Sequence, residues 1–264
     1  MSLASPVLAV AFVVLAWWAS TGIVLALVWQ PERRHRAILG VASVLGVGAA
    51  AVLVWSSREA SLVSVYVGFG AALVLWAWHE LAFLLGFVTG PNRQACPPGV
   101  RGWARFWAAT ATLIHHEIAL ALTLLVVGAA SWTGANHVGA ETFLVLWVMR
   151  LSSKLNLFLG VRNVTVEFVP QKLQHLISYF GRDPFNPFMP FALLLSSSVL
   201  VAMVANAASV DSLRAIESTV VATLLALAVL EHIFLCVRLS EAALWRWAMP
   251  GRSREVRASI RGDE

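Results

Sequence analysis

Three stretches of the sequence put histidine beside carboxylate: His79-Glu80, His115-His116-Glu117 and Glu231-His232. Each lies inside a long apolar run, where an ionised side chain in lipid costs at least about 2.5 kcal/mol at mid-span. Such groups are expected to face a protein interior and to find partners there. Four His and three Glu are enough for a mononuclear or dinuclear transition-metal site of zinc, iron or manganese. The spacing does not favour one. There is no paired E-x-x-H and no H-E-x-x-H. Adjacent residues on a helix point about 100° apart, so only part of each stretch can reach a common centre. Three other readings stay open: a neutral His on the central Mg of a chlorophyll-type tetrapyrrole, a carboxylate–His chain that carries protons, or a structural hydrogen-bond network.

Further polar residues could join these. Arg150 and Lys154 are four apart, share a helix face and could neutralise buried Glu or snorkel to a boundary. Glu167 and His175 are eight apart, which puts them on similar faces of a helix. His35, His137, Glu141 and Glu217 fall at span boundaries and are expected to be solvated. Soluble catalytic signatures are absent: no G-x-S-x-G, no P-loop, no G-x-G-x-x-G after a strand. Ser152-Ser153-Lys154 is too short a pattern to define a hydrolase. Cys96 and Cys236 form no CxxC and carry no disulfide signal.

The elements that must position these residues follow from composition. Hydrophobic residues make up 59% of the 264 and charged residues 12%; soluble domains average about 45–50% and about 25%. A chain this apolar uses lipid as solvent, which disfavours disorder, nucleic-acid binding and a soluble α/β enzyme. Helices of about 20 apolar residues cross a bilayer. Seven such runs are predicted: 5–29, 37–55, 62–88, 104–131, 141–159, 187–208 and 215–239. The first lacks a basic n-region and is too long for a signal-peptide core, so it is expected to be retained. The fifth is the least apolar, because Arg150, Lys154 and Asn156 interrupt it. The fold class is therefore an all-α integral membrane protein, a bundle of about seven transmembrane helices. Residues 1–245 form one polytopic domain and 246–264 a basic tail.

Positive charge orients the bundle. Of 17 Arg and 2 Lys, fourteen fall on one side if the spans alternate: Arg33, Arg34, Arg36, Arg93, Arg101, Arg105, Arg162, Lys172, Arg182, Arg246, Arg252, Arg254, Arg257 and Arg261. Only Arg58 and Arg214 fall on the other; Arg150, Lys154 and Arg238 lie within spans. The positive-inside rule then predicts an N-out/C-in topology. Residues 166–180 are too polar to span. Phe168, Leu173, Leu176, Ile177 and Phe180 recur at helical spacing after Pro170, as in a cytoplasmic interfacial helix. Most of the twelve Trp sit at span ends as an aromatic belt, whereas Trp76 and Trp78 flank His79-Glu80 and could line a site. Counting at 1.5 Å per residue puts the three His/Glu stretches roughly 12–17 Å from the cytoplasmic boundary. That common depth predicts one polar cluster if the three helices are neighbours.

Longer strings carry a resemblance. HELAFLLGFVTGP at 79–91, CPPGVRGWARFWAAT at 96–110, HHEIAL at 115–120, ETFLVLWVMRLSSKLNLFLGVRN at 141–163 and EFVPQKLQHLISYF at 167–180 resemble the photosynthetic complex assembly proteins called PuhE. The resemblance covers about the middle 110 residues strongly. It implies a multi-pass protein of the bacterial cytoplasmic photosynthetic membrane. Such a protein would assist assembly of photosynthetic complexes or modulate bacteriochlorophyll formation, with complex subunits or pigment-biosynthesis enzymes as partners. It transfers no catalytic residues. A bacteriochlorophyll-type tetrapyrrole or a transition metal is the cofactor it leaves open. The alternative reading is a membrane metalloenzyme, a metal-dependent oxidoreductase acting on a pigment precursor or isoprenoid through His79, Glu80, His115, His116, Glu117, Glu231 and His232.

Overall fold

A computed structural model of the chain describes residues 5–164, 166–237 and 241–248. Those residues contain eight α-helices, three 3₁₀ stretches and no strand. Seven of the α-helices are long and apolar enough to cross a membrane. They are α1 (Pro6–Val28), α2 (Glu32–Ser57), α3 (Leu62–Leu84), α5 (Ile114–Ser131), α6 (Val138–Leu159), α7 (Phe188–Ala207) and α8 (Ser212–Cys236); the short α4 (Gly102–Thr110) precedes α5.

Local chemistry sets the helix ends. Pro6 opens α1, where its missing N–H costs nothing. Ser61 caps α3 reciprocally with Ser64, each side chain bonding the other's backbone N–H. The Asp211 carboxylate accepts from the N–H groups of Leu213 and Arg214, both at 3.0 Å, and so starts α8. Gly160 ends α6 at φ +125°, a conformation that disfavours any side chain.

The core forms around α3, which packs on α1, α2, α5, α6 and α8. At one end Val13, Val65, Phe69, Ile216 and Val220 meet with almost no exposure. Next to them Leu53, Leu75, Leu120 and Phe143 join α2, α3, α5 and α6. By contrast α7 packs mainly on α8 and leaves Phe191, Leu194, Val201 and Val204 exposed. That apolar outer face is what lipid would cover.

The predicted fourth span is broken. Instead of one helix over 104–131 there are α4 and α5, separated at 111–113. The segment after α3 folds back onto the break. Thr89 carbonyl accepts from the His116 N–H at 3.1 Å, and the Asn92 N–H donates to Ala111 carbonyl at 3.0 Å. Gly90 permits this approach, because a Cβ there would collide with the Ala111 carbonyl. Loop backbone thus satisfies groups the helix cannot, and Thr89 and Thr112 are buried beside it. The same fold-back ends α3 at Leu84, four residues before the predicted 88.

Residues 166–180 also differ from expectation. They form two 3₁₀ stretches, Val166–Phe168 and Gln171–Tyr179, interrupted before Pro170. Glu167 and His175 therefore do not share one helix face. Phe168, Leu173, Leu176 and Phe180 turn toward the bundle and line its cavity. Arg105, besides being an orienting charge, fastens this segment. Its guanidinium donates to the carbonyls of Phe158 (3.0 Å) and Tyr179 (2.7 Å) and lies over the Phe158 ring.

Several tryptophans face inward. Trp245, on the 3₁₀ stretch Glu241–Ala248, is buried edge-to-face against Trp17 and donates to the Trp18 carbonyl at 3.1 Å. Trp103, Trp107 and Trp132 are exposed, as a belt requires. Arg238, the Arg246 side chain and the tail that holds Arg252, Arg254, Arg257 and Arg261 lie outside the described residues.

Candidate functional site

The polar centre is built from α3, α5, α6 and α8. On α3, His79 and Glu80 are both buried. His79 Nε2 lies 2.9 Å from Thr123 Oγ1 on α5. Glu80 Oε2 is 3.5 Å from Arg150 Nη2 on α6, and its Oε1 is 3.9 Å from His116 Nε2. The second distance is too long for a hydrogen bond. Glu80 Oε1 and both ring nitrogens of His116 are buried without a hydrogen-bond partner. His116 is held instead by stacking on Phe83, with ring centroids 4.6 Å apart.

A second pair joins α5 to α6. Lys154 donates to Glu117 Oε1, and Trp147 Nε1–H donates to Glu117 Oε2 at 3.1 Å. Trp147, Arg150 and Lys154 recur at helical spacing, so one face of α6 meets both carboxylates. On the far side of α6, Ser152 Oγ lies 2.9 Å from His232 Nε2. His232 Nδ1 lies 2.9 Å from the Ala228 carbonyl, which makes Nδ1 the donor and leaves Nε2 to accept from Ser152 in the neutral ring. This Ser–His contact has the length of a catalytic dyad. Neither residue lines the cavity, however, and the third group is a carbonyl.

The three His/Glu stretches thus do not form one cluster. His79, Glu80, His116 and Glu117 converge between α3 and α5, with the His79 and His116 rings 6.5 Å apart. On α8, His232 turns to Ser152 on α6, and Glu231 reaches the cavity wall that Glu80 also lines. His115 points outward and is exposed. Among the described residues, no group of three or more His, Cys, Asp or Glu has the arrangement of a metal site. Arg150 and Lys154 do meet the buried carboxylates, and Glu167 is exposed. His175 is half-buried, outside the spans, and burial holds its imidazole below the usual range.

Two boundary residues are not solvated as expected. His35 is buried, with Nε2 2.8 Å from the Gln30 carbonyl. Glu217 is buried and paired with Arg214 at 2.8 Å. Trp76 does line the interior cavity, whereas Trp78 turns to α2 and donates to Ser43 Oγ at 3.0 Å. The partners that sequence reading missed are Thr123, Phe83, Trp147, Ser152 and Arg105. Helical spacing carried a signal for two of them: Thr123 is seven residues after His116, and Trp147 is seven before Lys154.

Beside the polar centre lies a cavity of about 380 Å³ lined by α1, α3, α6 and α8, with residues of the 164–180 segment and Trp245 also on its wall. Glu80, Arg150, Lys154 and Glu231 reach its wall, which is otherwise mostly apolar.

An all-helical chain with seven candidate membrane-spanning helices around a buried, charge-paired centre is the class that fold and site define. The chain belongs to a family of proteins of unknown function, DUF3623, matched over residues 3–256. It is 35% identical over 246 residues to an uncharacterised 30.4 kDa protein in the puhA 5′ region of Rhodobacter capsulatus, covering 90% of this chain and 88% of that relative. No solved structure gives a significant match.

Proposed function

We propose that the chain is a membrane-embedded assembly factor for bacterial photosynthetic complexes, of the PuhE kind, or a modulator of bacteriochlorophyll formation. The observation that carries the reading is the relative's place in the puhA 5′ region, which belongs to a photosynthesis gene cluster. The polar centre suits this role. Its side chains tie helix to helix: Glu80 to Arg150, Glu117 to Lys154, His79 to Thr123 and His232 to Ser152. All of these ties but one run through α6. A frame fixed in this way can present an outer apolar face, such as that of α7, to other membrane helices. The chain would lie N-out/C-in in the cytoplasmic membrane, with residues 166–180 on the cytoplasmic side.

A metal-dependent oxidoreductase would need at least three donors around one point. Of the seven candidates, His79, Glu80, Glu117 and His232 are engaged by Thr123, Arg150, Lys154 and Ser152 respectively, and His115 is exposed. Co-purification tests the assembly reading. Tagged chain, cross-linked in photosynthetically grown cells, is expected to retain reaction-centre or light-harvesting subunits or pigment-synthesis enzymes. Repeated recovery without any of these would overturn it.

A further inference from the structure

The interior cavity has no role in the reading above, and its lining specifies an occupant. Its volume of about 380 Å³ falls in the range of small-molecule sites, about 300–1,000 Å³. Trp17, Leu73, Trp76, Val145 and Leu224 make much of the wall carbon.

One cation opens into this apolar space. Arg150 lines the cavity and its side chain is 44% exposed, although it lies twelve residues from the start of α6 and nine from its end. Its ionic neighbour is Glu80 Oε2 at 3.5 Å, and among the described residues it makes no hydrogen bond. A guanidinium has five N–H donors. Those of Arg150 are accessible rather than buried, so an occupant of the cavity with acceptor oxygens can take them up.

Charge balance decides which acceptors. Glu80 already offsets Arg150, and Glu117 offsets Lys154. Among the described residues an anionic head would therefore meet no cation that lacks a carboxylate partner. A carbonyl or ester oxygen accepts from Arg150 without bringing charge.

We propose that the cavity binds a neutral, lipid-soluble molecule whose carbonyl or ester oxygens accept hydrogen bonds from Arg150 and whose apolar body lies along Trp17 and Trp76. Quinones and ester lipids share this chemistry. The proposal stands apart from the assembly reading, since it rests on the cavity alone.

The test uses the full-length chain in detergent with four probes: a decyl-substituted benzoquinone, methyl decanoate, decanoate and decane. Binding is measured by titration calorimetry. Saturable one-to-one binding of the quinone or the ester is expected, at least about tenfold tighter than decane or decanoate; whichever of the two binds more tightly identifies the source. Arg150→Met is expected to weaken that probe about tenfold, the effect of losing a hydrogen bond to a charged group, without changing decane. Because Arg150→Met leaves Glu80 without its cation, the double variant Arg150→Met/Glu80→Gln restores charge balance and must show the same loss while folded. Leu73→Trp, which fills the cavity, is expected to abolish binding. Decanoate as the tightest probe, equal affinity for decane, no saturable binding of quinone or ester, or wild-type affinity in the double variant would each overturn the proposal.

Discussion

Replacing Lys154 by Met strands a buried carboxylate. Lys154 and Glu117 have only 16% and 12% of their side-chain surface exposed, and their contact joins α5 to α6. Without the ammonium, Glu117 keeps one donor, Trp147 Nε1–H at 3.1 Å. Removing one member of a buried pair costs about 3–5 kcal/mol. The low end, about 3 kcal/mol, applies here because Trp147 remains and Glu117 can take up a proton. Removing both charges with Lys154→Met/Glu117→Gln avoids the stranded anion, and the new amide oxygen can still accept from Trp147. That double variant is expected to lose only about 1 kcal/mol, the net worth of an ordinary hydrogen bond. The four proteins form a double-mutant cycle with a coupling of at least about 2 kcal/mol. Reversible unfolding in mixed micelles, followed by tryptophan fluorescence, reads it. If Lys154→Met unfolds within about 0.5 kcal/mol of wild type, or the two substitutions add, the pair does not hold α5 to α6 and the reasoning fails.

Gly90→Ala drives a methyl group into the Ala111 carbonyl and is expected to cost about 1–3 kcal/mol, as overpacking does; wild-type unfolding of this variant would show that the fold-back over the α4–α5 break is absent. Arg105→Ala removes the bonds to Phe158 and Tyr179 and should expose residues 166–180 to limited proteolysis while leaving the helical circular dichroism of the bundle in place; an unchanged cleavage pattern would count against that anchor. Reporter fusions should place the 58–61 and 208–211 connections outside and the 85–101 connection inside, and the reverse assignment would refute the N-out/C-in topology. His115 faces outward, so His115→Ala should leave protein level and membrane pigment unchanged; loss of pigment at normal protein level would restore a chemical role for that histidine.

Much of the fold was legible because lipid imposes a simple rule. An apolar run of about 20 residues must be a helix, and the boundaries of α1, α6 and α7 fall close to those predicted. The broken fourth span was not legible. Ala111, Thr112 and Leu113 carry no breaker, and the break depends on loop 85–92, brought there through space by a glycine that tolerates the Ala111 carbonyl. Residues 166–180 depart from a single helix for a related reason: their apolar spacing is real, but it serves a cavity wall. At the site, the cost of burying charge pointed to His79, Glu80, His116 and Glu117 as residues needing partners; His79, Glu80 and Glu117 have them, whereas both ring nitrogens of His116 make no hydrogen bond. It could not say which partners, because that depends on helix neighbours. Placing α6 between α5 and α8 put His232 on Ser152, while Glu231 reaches the cavity wall that Glu80 also lines. His115 shows the limit of counting by stretches, since its neighbour His116 is buried and it is not.

The most direct test of the assembly role is a strain that lacks this protein. Near-infrared absorption of its membranes measures assembled complexes, and chromatography of extracted pigments measures each precursor. The account predicts fewer assembled complexes with no single pigment precursor accumulating. Accumulation of one precursor, or complexes at wild-type level, would contradict it.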